Sequence, residues 1–357
     1  MAEKVLMKGN EALAESAIRA GCRCFFGYPI TPQTEIAAYM SRRMPQVGGT
    51  YLQAESEIGA INMVYGAAGA GARVMTSTSS PGMSLKSEGI SYIAGANLPA
   101  VIVNVQRGGP GLGGIQPSQS DYWQATRATG HGDFHPIVLA PSTVQEMASC
   151  VHEAFDLADT YLTPVIVLID GMLGQMMEPV ELPGKHDKKH KKPWAVTGHG
   201  SQRTQNIINS LHLDPYELER SNVERFERYE KIKQHEQRVE LYRTEDADIV
   251  IVAFGACARV SRSAVDKARE AGIKAGLVRP ITLVPFPEDA IVSLVDQASA
   301  MLVVEMNMGQ MVEDVRLVVA GRTPVEFFGH AGGIIPTPAE VFEQLKVLEA
   351  RKGGEAS

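Results

Sequence analysis

In CRCFFGYPITPQTEIAAYMSRR, residues 22–43, an apolar run at 22–27 ends in Gly-Tyr-Pro and leads at once into a helix-patterned segment, 32–43. Pro32 suits the first helical position and Thr31 its cap, so a strand delivers the chain directly to a helix start. The same unit recurs downstream. Apolar runs at 50–53, 72–76, 100–105, 137–140 and 164–169 read as strands. Segments 10–20, 58–70, 83–96 and 144–160 read as helices, the last capped by Ser142 or Thr143. Several runs are almost continuously apolar, the pattern of a parallel sheet buried on both faces. The expected architecture is α/β, a parallel sheet with helices on both faces.

A second, smaller α/β unit starts near Asp248. DIVIVAF, KAGLVRPI, AMLVVEM and VEFFG alternate with helical segments at 259–271, after Pro287, and at 310–320. Between the two units the composition changes. KHDKKHKK, residues 185–192, carries five Lys and one Asp and reads as a solvated linker. Residues 215–243 hold seven Glu and seven Lys or Arg. Leu218, Val223, Phe226, Tyr229, Ile232 and Val239 recur there at three- to four-residue steps, which predicts one long ion-paired amphipathic helix. The chain therefore divides into 1–182, a linker at 183–246, and 247–350.

Composition narrows the function classes. The chain has 357 residues, 44% hydrophobic and 21% charged, enough for two cores. With 34 Lys plus Arg against 41 Asp plus Glu the net charge is −7, which argues against a nucleic-acid binder. No apolar run reaches the ~18 residues of a membrane span, and the charged N-terminus lacks a signal-peptide core, so a cytoplasmic protein is expected. Cys22, Cys24, Cys150 and Cys257 have no iron–sulfur spacing. Any redox metal is therefore expected on another chain.

Ligands of parallel α/β sheets bind beyond the carboxyl ends of the strands. Thr31 and its helix start follow the first strand, where free N–H groups suit a carboxylate or phosphate. Glu55-Ser56-Glu57 follows the second, and hydroxyls at 76–80 another. After VIVNV come Gln106-Arg107 and five glycines within residues 108–114. Each has a bland reading: an ordinary helix start, an acid complementing a helix dipole, a structural salt bridge. The glycine-dense loop is harder to dismiss, because so much Gly is unfavourable to order unless something approaches the backbone closely. Other signals are weak. The glycines at 66, 69 and 71 lie late in a helix rather than at a strand-to-helix turn, so helix packing is the better reading. His131 and His135 have no evident third metal ligand.

GYPITP, QAESEIGA, NVQRGGPGLGG, VRPITLVPFP and VVEMNMGQM, in this order, resemble the α subunit of the 2-oxoacid:ferredoxin oxidoreductases. GGPGLGG is most similar to the 2-oxoisovalerate (branched-chain) subfamily. The 2-oxoglutarate subfamily, the alternative, usually has Ser-Thr where this chain has Gly111-Leu112. The resemblance implies a pyrimidine-type thiamine-diphosphate-binding domain and a smaller transketolase C-terminal-like domain. It implies that a β subunit holds the diphosphate and Mg²⁺, since Gly-Asp-Gly is absent here. It places [4Fe–4S] clusters in an iron–sulfur, ferredoxin-like subunit, adds a γ subunit, and makes coenzyme A and ferredoxin co-substrates of a 2-oxoacid decarboxylation. Glu57 matches the glutamate that hydrogen-bonds N1′ of the aminopyrimidine, with Tyr28, Pro29 and Thr31 lining the cofactor. Thr31 also matches the hydroxyl that engages the substrate. Arg107 matches the arginine that contacts substrate or coenzyme A, with Gly108, Gly109 and Leu112 in the loop over the substrate. Two rivals remain: a self-contained transketolase-like enzyme, and a non-enzymatic scaffold acting through its charged helix.

Overall fold

The structure, a computed structural model, describes residues 4–186 and 191–354. The first unit runs β1 (Val5–Lys8), α1 (Gly9–Arg19), β2 (Cys24–Gly27), α2 (Thr34–Arg43), β3 (Thr50–Gln53), α3 (Glu57–Gly69), β4 (Val74–Thr78), α4 (Ser80–Gly95) and β5 (Ala100–Gln106). It continues through α5 (Tyr122–Thr126), β6 (Ile137–Leu139), α6 (Val144–Tyr161), β7 (Pro164–Asp170), α7 (Gly171–Gln175) and β8 (Met177–Val180). β1 and β8 pair antiparallel in a separate ribbon that the sequence reading does not contain.

The main sheet has seven strands in the order β12-β6-β7-β5-β4-β2-β3. β5 and β7 are buried along their whole length, as their unbroken apolar composition requires. Alternation along β5 divides the core. Ile102 packs with α3 and α4 on one face, while Val101, Val103 and Val105 pack with α1, α2 and α6 on the other. The α6 start closes reciprocally, as Thr143 Oγ1 accepts from Glu146 N–H and the Glu146 carboxylate accepts from Ser142 N–H and Oγ–H.

The edge strand β12 (Thr282–Val284) belongs in sequence to the second unit and runs antiparallel to β6, a departure from the all-parallel expectation. The remaining elements are α8 (Pro215–His235), β9 (Val239–Tyr242), β10 (Ile249–Val252), α9 (Gly255–Glu270), β11 (Ala275–Pro280), α10 (Glu288–Val295), β13 (Ala300–Glu305), α11 (Met311–Val319), β14 (Val325–Gly329) and α12 (Pro338–Gly354). They build a five-stranded sheet, β14-β13-β10-β11-β9, parallel except for β9. Its α10–α11 side merges with the α3–α4 core of the first unit, so one apolar cluster runs through both.

The linker is more structured than expected. α8 stops at His235, and Val239 lies in β9, where residues 239–242 pair with β11 instead of continuing the helix. Of the expected apolar stripe only Ile232 is buried, while Tyr229 stacks on His135 at 4.1 Å and Leu218, Val223 and Phe226 stay exposed. Arg225 fastens α8 to the carbonyls of Ala94 and Gly95. Of KHDKKHKK, residues 187–190 lie outside the described residues. Its flanks are anchored rather than solvated, since His186 N–H donates to Arg19 O and Lys192 pairs with the buried Asp159 at 2.6 Å.

Candidate functional site

The carboxyl ends of β2, β4 and β5 open on one side of the main sheet. After β2 the chain makes a turn at residues 28–33 and enters α2 only at Thr34, with Gln33 at the cap position. Thr31 is therefore not the cap, and Pro32 is not helical, contrary to expectation. The reason is local. The buried Gln33 side chain donates to Tyr28 O at 3.2 Å and accepts from Ser77 Oγ at 2.5 Å, while Pro32 O accepts from the buried Asn10 amide at 2.9 Å. These bonds hold residues 28–32 as an independent turn on which Tyr28, Pro29 and Thr31 are exposed.

Arg107 directly follows β5 and is buried, 7% exposed. Nη1 donates to Thr31 O and Nη2 to Leu112 O, both at 3.1 Å, so one guanidinium ties the turn to the glycine loop. Its backbone N–H donates to Ser80 Oγ, which donates to Asp121 at 2.5 Å. Burial pushes the Asp121 carboxyl up, against hydrogen bonds from Ser80 and Asn104 and the Arg107 charge. The loop folds back on itself through Gly114 N–H to Gly108 O, 2.8 Å. Gly113 has φ +57°, and a Cβ there would lie 1.8 Å from Gly108 O, which accounts for glycine at that position. Gly109 is exposed, Gly108 is buried against Gly332, and Leu112, 84% exposed, projects from the loop.

Glu57 opens α3. Ser56 caps the helix, its Oγ accepting from Gly59 N–H at 3.1 Å, so Glu57 also complements the positive helix end. Its side chain is buried, and among the described residues no hydrogen bond reaches the carboxylate. It lies against Gly82 of α4, where a Cβ would sit 2.7 Å from Glu57 Oε1 and 2.2 Å from Thr78 Oγ1. Among the described residues, the buried hydroxyls of Thr76, Thr78 and Ser79 have no hydrogen-bond partner, and neither do Asn104 Oδ1, Gln106 Nε2 and Arg107 Nε. So many unpaired polar atoms at the ends of two adjacent strands mark a place where solvent or a ligand completes the bonding. Tyr28 in the turn after β2 and Leu112 in the glycine loop expose apolar surface.

The structure thus joins Thr31, Arg107, Gly108 and Leu112 in one cluster and places Glu57 in a second, with α4 between them: Ser80 touches the first, Gly82 the second. No hydrogen bond or ion pair links Glu57 to Arg107 directly among the described residues. Glu55 is exposed. Burial pushes the His135 imidazole down, and no group of three or more His, Cys, Asp or Glu is placed to hold a metal among the described residues.

One residue escaped the sequence reading. Lys86 of α4 is fully buried, and its ammonium donates to Glu57 O at 3.3 Å. Burial pushes it down to about 8, opposed by the Glu57 charge. Its signal in the sequence was Gly82, Lys86 and Gly89 on one helical face.

The Glu57 carboxylate, without a hydrogen bond among the described residues, has the capacity to bond a ligand's ring nitrogen. Residues 15–244 match the thiamine-diphosphate-binding domain of the pyruvate flavodoxin/ferredoxin oxidoreductases, and residues 247–341 match pyruvate:ferredoxin oxidoreductase core domain II. The ketoisovalerate oxidoreductase subunit VorB of Methanothermobacter thermautotrophicus is 50% identical over 342 residues, covering 96% of this chain and 97% of that protein. The 2-oxoglutarate synthase subunit KorA of Methanothermobacter marburgensis is 39% identical, covering 97% of this chain and 99% of that protein. Among solved structures, 2-oxoglutarate:ferredoxin oxidoreductase from Magnetococcus marinus superposes with a TM-score of 0.87 at 28% identity, covering 97% of this chain and 65% of that one. A split-gene transketolase, at 0.59 and 13% identity, covers 96% of this chain and 98% of its own and shares the fold.

Proposed function

The chain belongs to the 2-oxoacid:ferredoxin oxidoreductases, as a subunit that acts within a complex, and from that premise we propose that it supplies the pyrimidine-facing half of a thiamine diphosphate site for a branched-chain 2-oxoacid. When bound, thiamine diphosphate supplies the nucleophilic carbon and the electron sink for decarboxylation. The overall reaction converts the 2-oxoacid anion, coenzyme A and two oxidised ferredoxins to acyl-CoA, CO₂, two reduced ferredoxins and one proton.

Glu57 holds or releases a proton at the aminopyrimidine ring nitrogen, and no hydrogen bond to its carboxylate among the described residues competes for that role. Tyr28, Pro29 and Thr31, on the exposed turn after β2, line the cofactor. The Thr31 hydroxyl engages the substrate, and the Arg107 charge attracts the carboxylate of the 2-oxoacid or the phosphates of coenzyme A. Gly108 and Gly109 let the loop approach closely, and Leu112 offers an aliphatic contact that disfavours a second carboxylate. A diphosphate-binding β subunit with Mg²⁺, a γ subunit and an iron–sulfur subunit with [4Fe–4S] clusters complete the complex in the cytoplasm. No helix among the described residues is long and apolar enough to cross a membrane. The 2-oxoisovalerate preference is supported by the higher identity to VorB than to KorA.

The observation that carries this reading is the Glu57 carboxylate, on a buried residue and without a hydrogen bond among the described residues. The test is anaerobic co-purification with the partner subunits, then coenzyme-A-dependent ferredoxin reduction with 2-oxoisovalerate, 2-oxoglutarate and pyruvate. 2-Oxoisovalerate is expected to be fastest, and Glu57→Gln to abolish turnover with all three. Full activity in Glu57→Gln would overturn the reading.

A further inference from the structure

We propose that Lys86 is a positioning residue for Glu57: its ammonium, hydrogen-bonded to the Glu57 carbonyl, holds the first turn of α3 so that the carboxylate meets the aminopyrimidine. The inference rests on the function proposed above and extends it to a residue that does not touch the cofactor.

The helix pair is built around this lysine. Gly82, Lys86 and Gly89 lie at i, i+4 and i+7, on one face of α4. A Cβ at Gly82 would strike Glu57 Oε1 at 2.7 Å, and one at Gly89 would strike Ile61 Cγ2 at 2.4 Å. Glycine above and below thus brings α3 and α4 together, and Lys86 fills the slot between with no exposed surface. An ammonium is a poor filler for such a slot. It has three donors and only the Glu57 carbonyl, at 3.3 Å, as hydrogen-bond acceptor among the described residues. It also sits at the positive end of α3, where the helix dipole repels a cation. An apolar side chain of equal volume would pack there without either penalty. The compensating group is Glu57, the charged residue that acts on it from the facing helix. Its carbonyl takes the hydrogen bond and its carboxylate attracts the ammonium.

The experiment measures thiamine diphosphate binding to the cofactor-stripped complex of this chain with its partner subunits, by titration calorimetry. Wild type, Lys86→Met, Glu57→Gln and the double variant form a cycle. Lys86→Met is expected to weaken binding roughly tenfold in the wild-type background and to change it less than about twofold on top of Glu57→Gln. Wild-type affinity is expected to fall as pH rises through about 8, while Lys86→Met shows no such fall. Equal losses in both backgrounds, no loss, or a Lys86→Met complex that fails to assemble would each overturn the proposal, since the lysine would then serve packing alone. Failure of the underlying function is separable: there Glu57→Gln itself binds cofactor and turns over like wild type.

Discussion

Arg107 Nη1 lies 3.1 Å from Thr31 O, and this bond joins the end of β5 to the turn after β2 across the mouth of the site. With Nη2 on Leu112 O, the guanidinium spans two backbone segments at once. An ammonium is a point donor on a flexible stem and cannot reproduce that fork. Arg107→Lys is expected to lower kcat/KM for the 2-oxoacid at least tenfold while costing about 1–2 kcal/mol of stability. Steady-state kinetics and denaturant melts of the assembled complex check the two together.

The Leu112 carbonyl takes a hydrogen bond from Arg107, while its side chain is exposed and contributes little to packing. Leu112→Thr is therefore expected to leave the melting temperature unchanged and to raise the 2-oxoglutarate to 2-oxoisovalerate rate ratio. An unchanged ratio in competition assays would remove this side chain from substrate choice.

Gly82→Ala tests the approach of α4 to Glu57. The new Cβ would meet Thr78 Oγ1 and Glu57 Oε1 well inside contact distance, so the carboxylate must move. We expect about 1–3 kcal/mol of destabilisation and a marked loss of thiamine diphosphate from the purified complex. Cofactor content per chain gives the readout.

Lys86 makes a stability prediction of unusual sign. Its ionisation falls from 10.5 in the unfolded chain to about 8 in the fold, so holding it charged near neutral pH costs roughly 3 kcal/mol. Between those values the unfolded chain binds the extra proton, and stability contributed by this group rises with pH. Lys86→Met is expected to be at least as stable as wild type at pH 7. The stability difference between variant and wild type should shrink from pH 8 to pH 10.5. Urea melts of this chain across that interval measure it.

The strands around the site were legible because each is a short apolar run ended by turn residues. β5 and β7 could hardly be read otherwise. The helix read at 58–70 matches α3 to within a residue at each end, while its Ser56 cap was not read. Thr31-Pro32 carried a helix-start signal, but long-range bonds from Gln33, Asn10 and Ser77 moved the helix start to Thr34, and no local pattern reports those. Val239 kept the helical spacing after the helix had ended, because periodicity does not distinguish a half-buried strand beginning in phase. The role of Arg107 in tying two loops needed three segments to be placed in space. Lys86 was overlooked because a lysine in a helix reads as a solvated face until the helix packed against it is known.

β12 has a further consequence. Thr282–Val284 pairs with Leu139 and Val138 of β6, and Ile281 O accepts from Ala140 N–H at 2.8 Å. A chain cut between the two family segments near residue 246 would bare the β6 edge and open the shared apolar cluster. The two halves are therefore thermodynamically one body. They should melt in a single calorimetric transition, and neither can be exchanged for a homologous half without carrying its side of that strand pairing along.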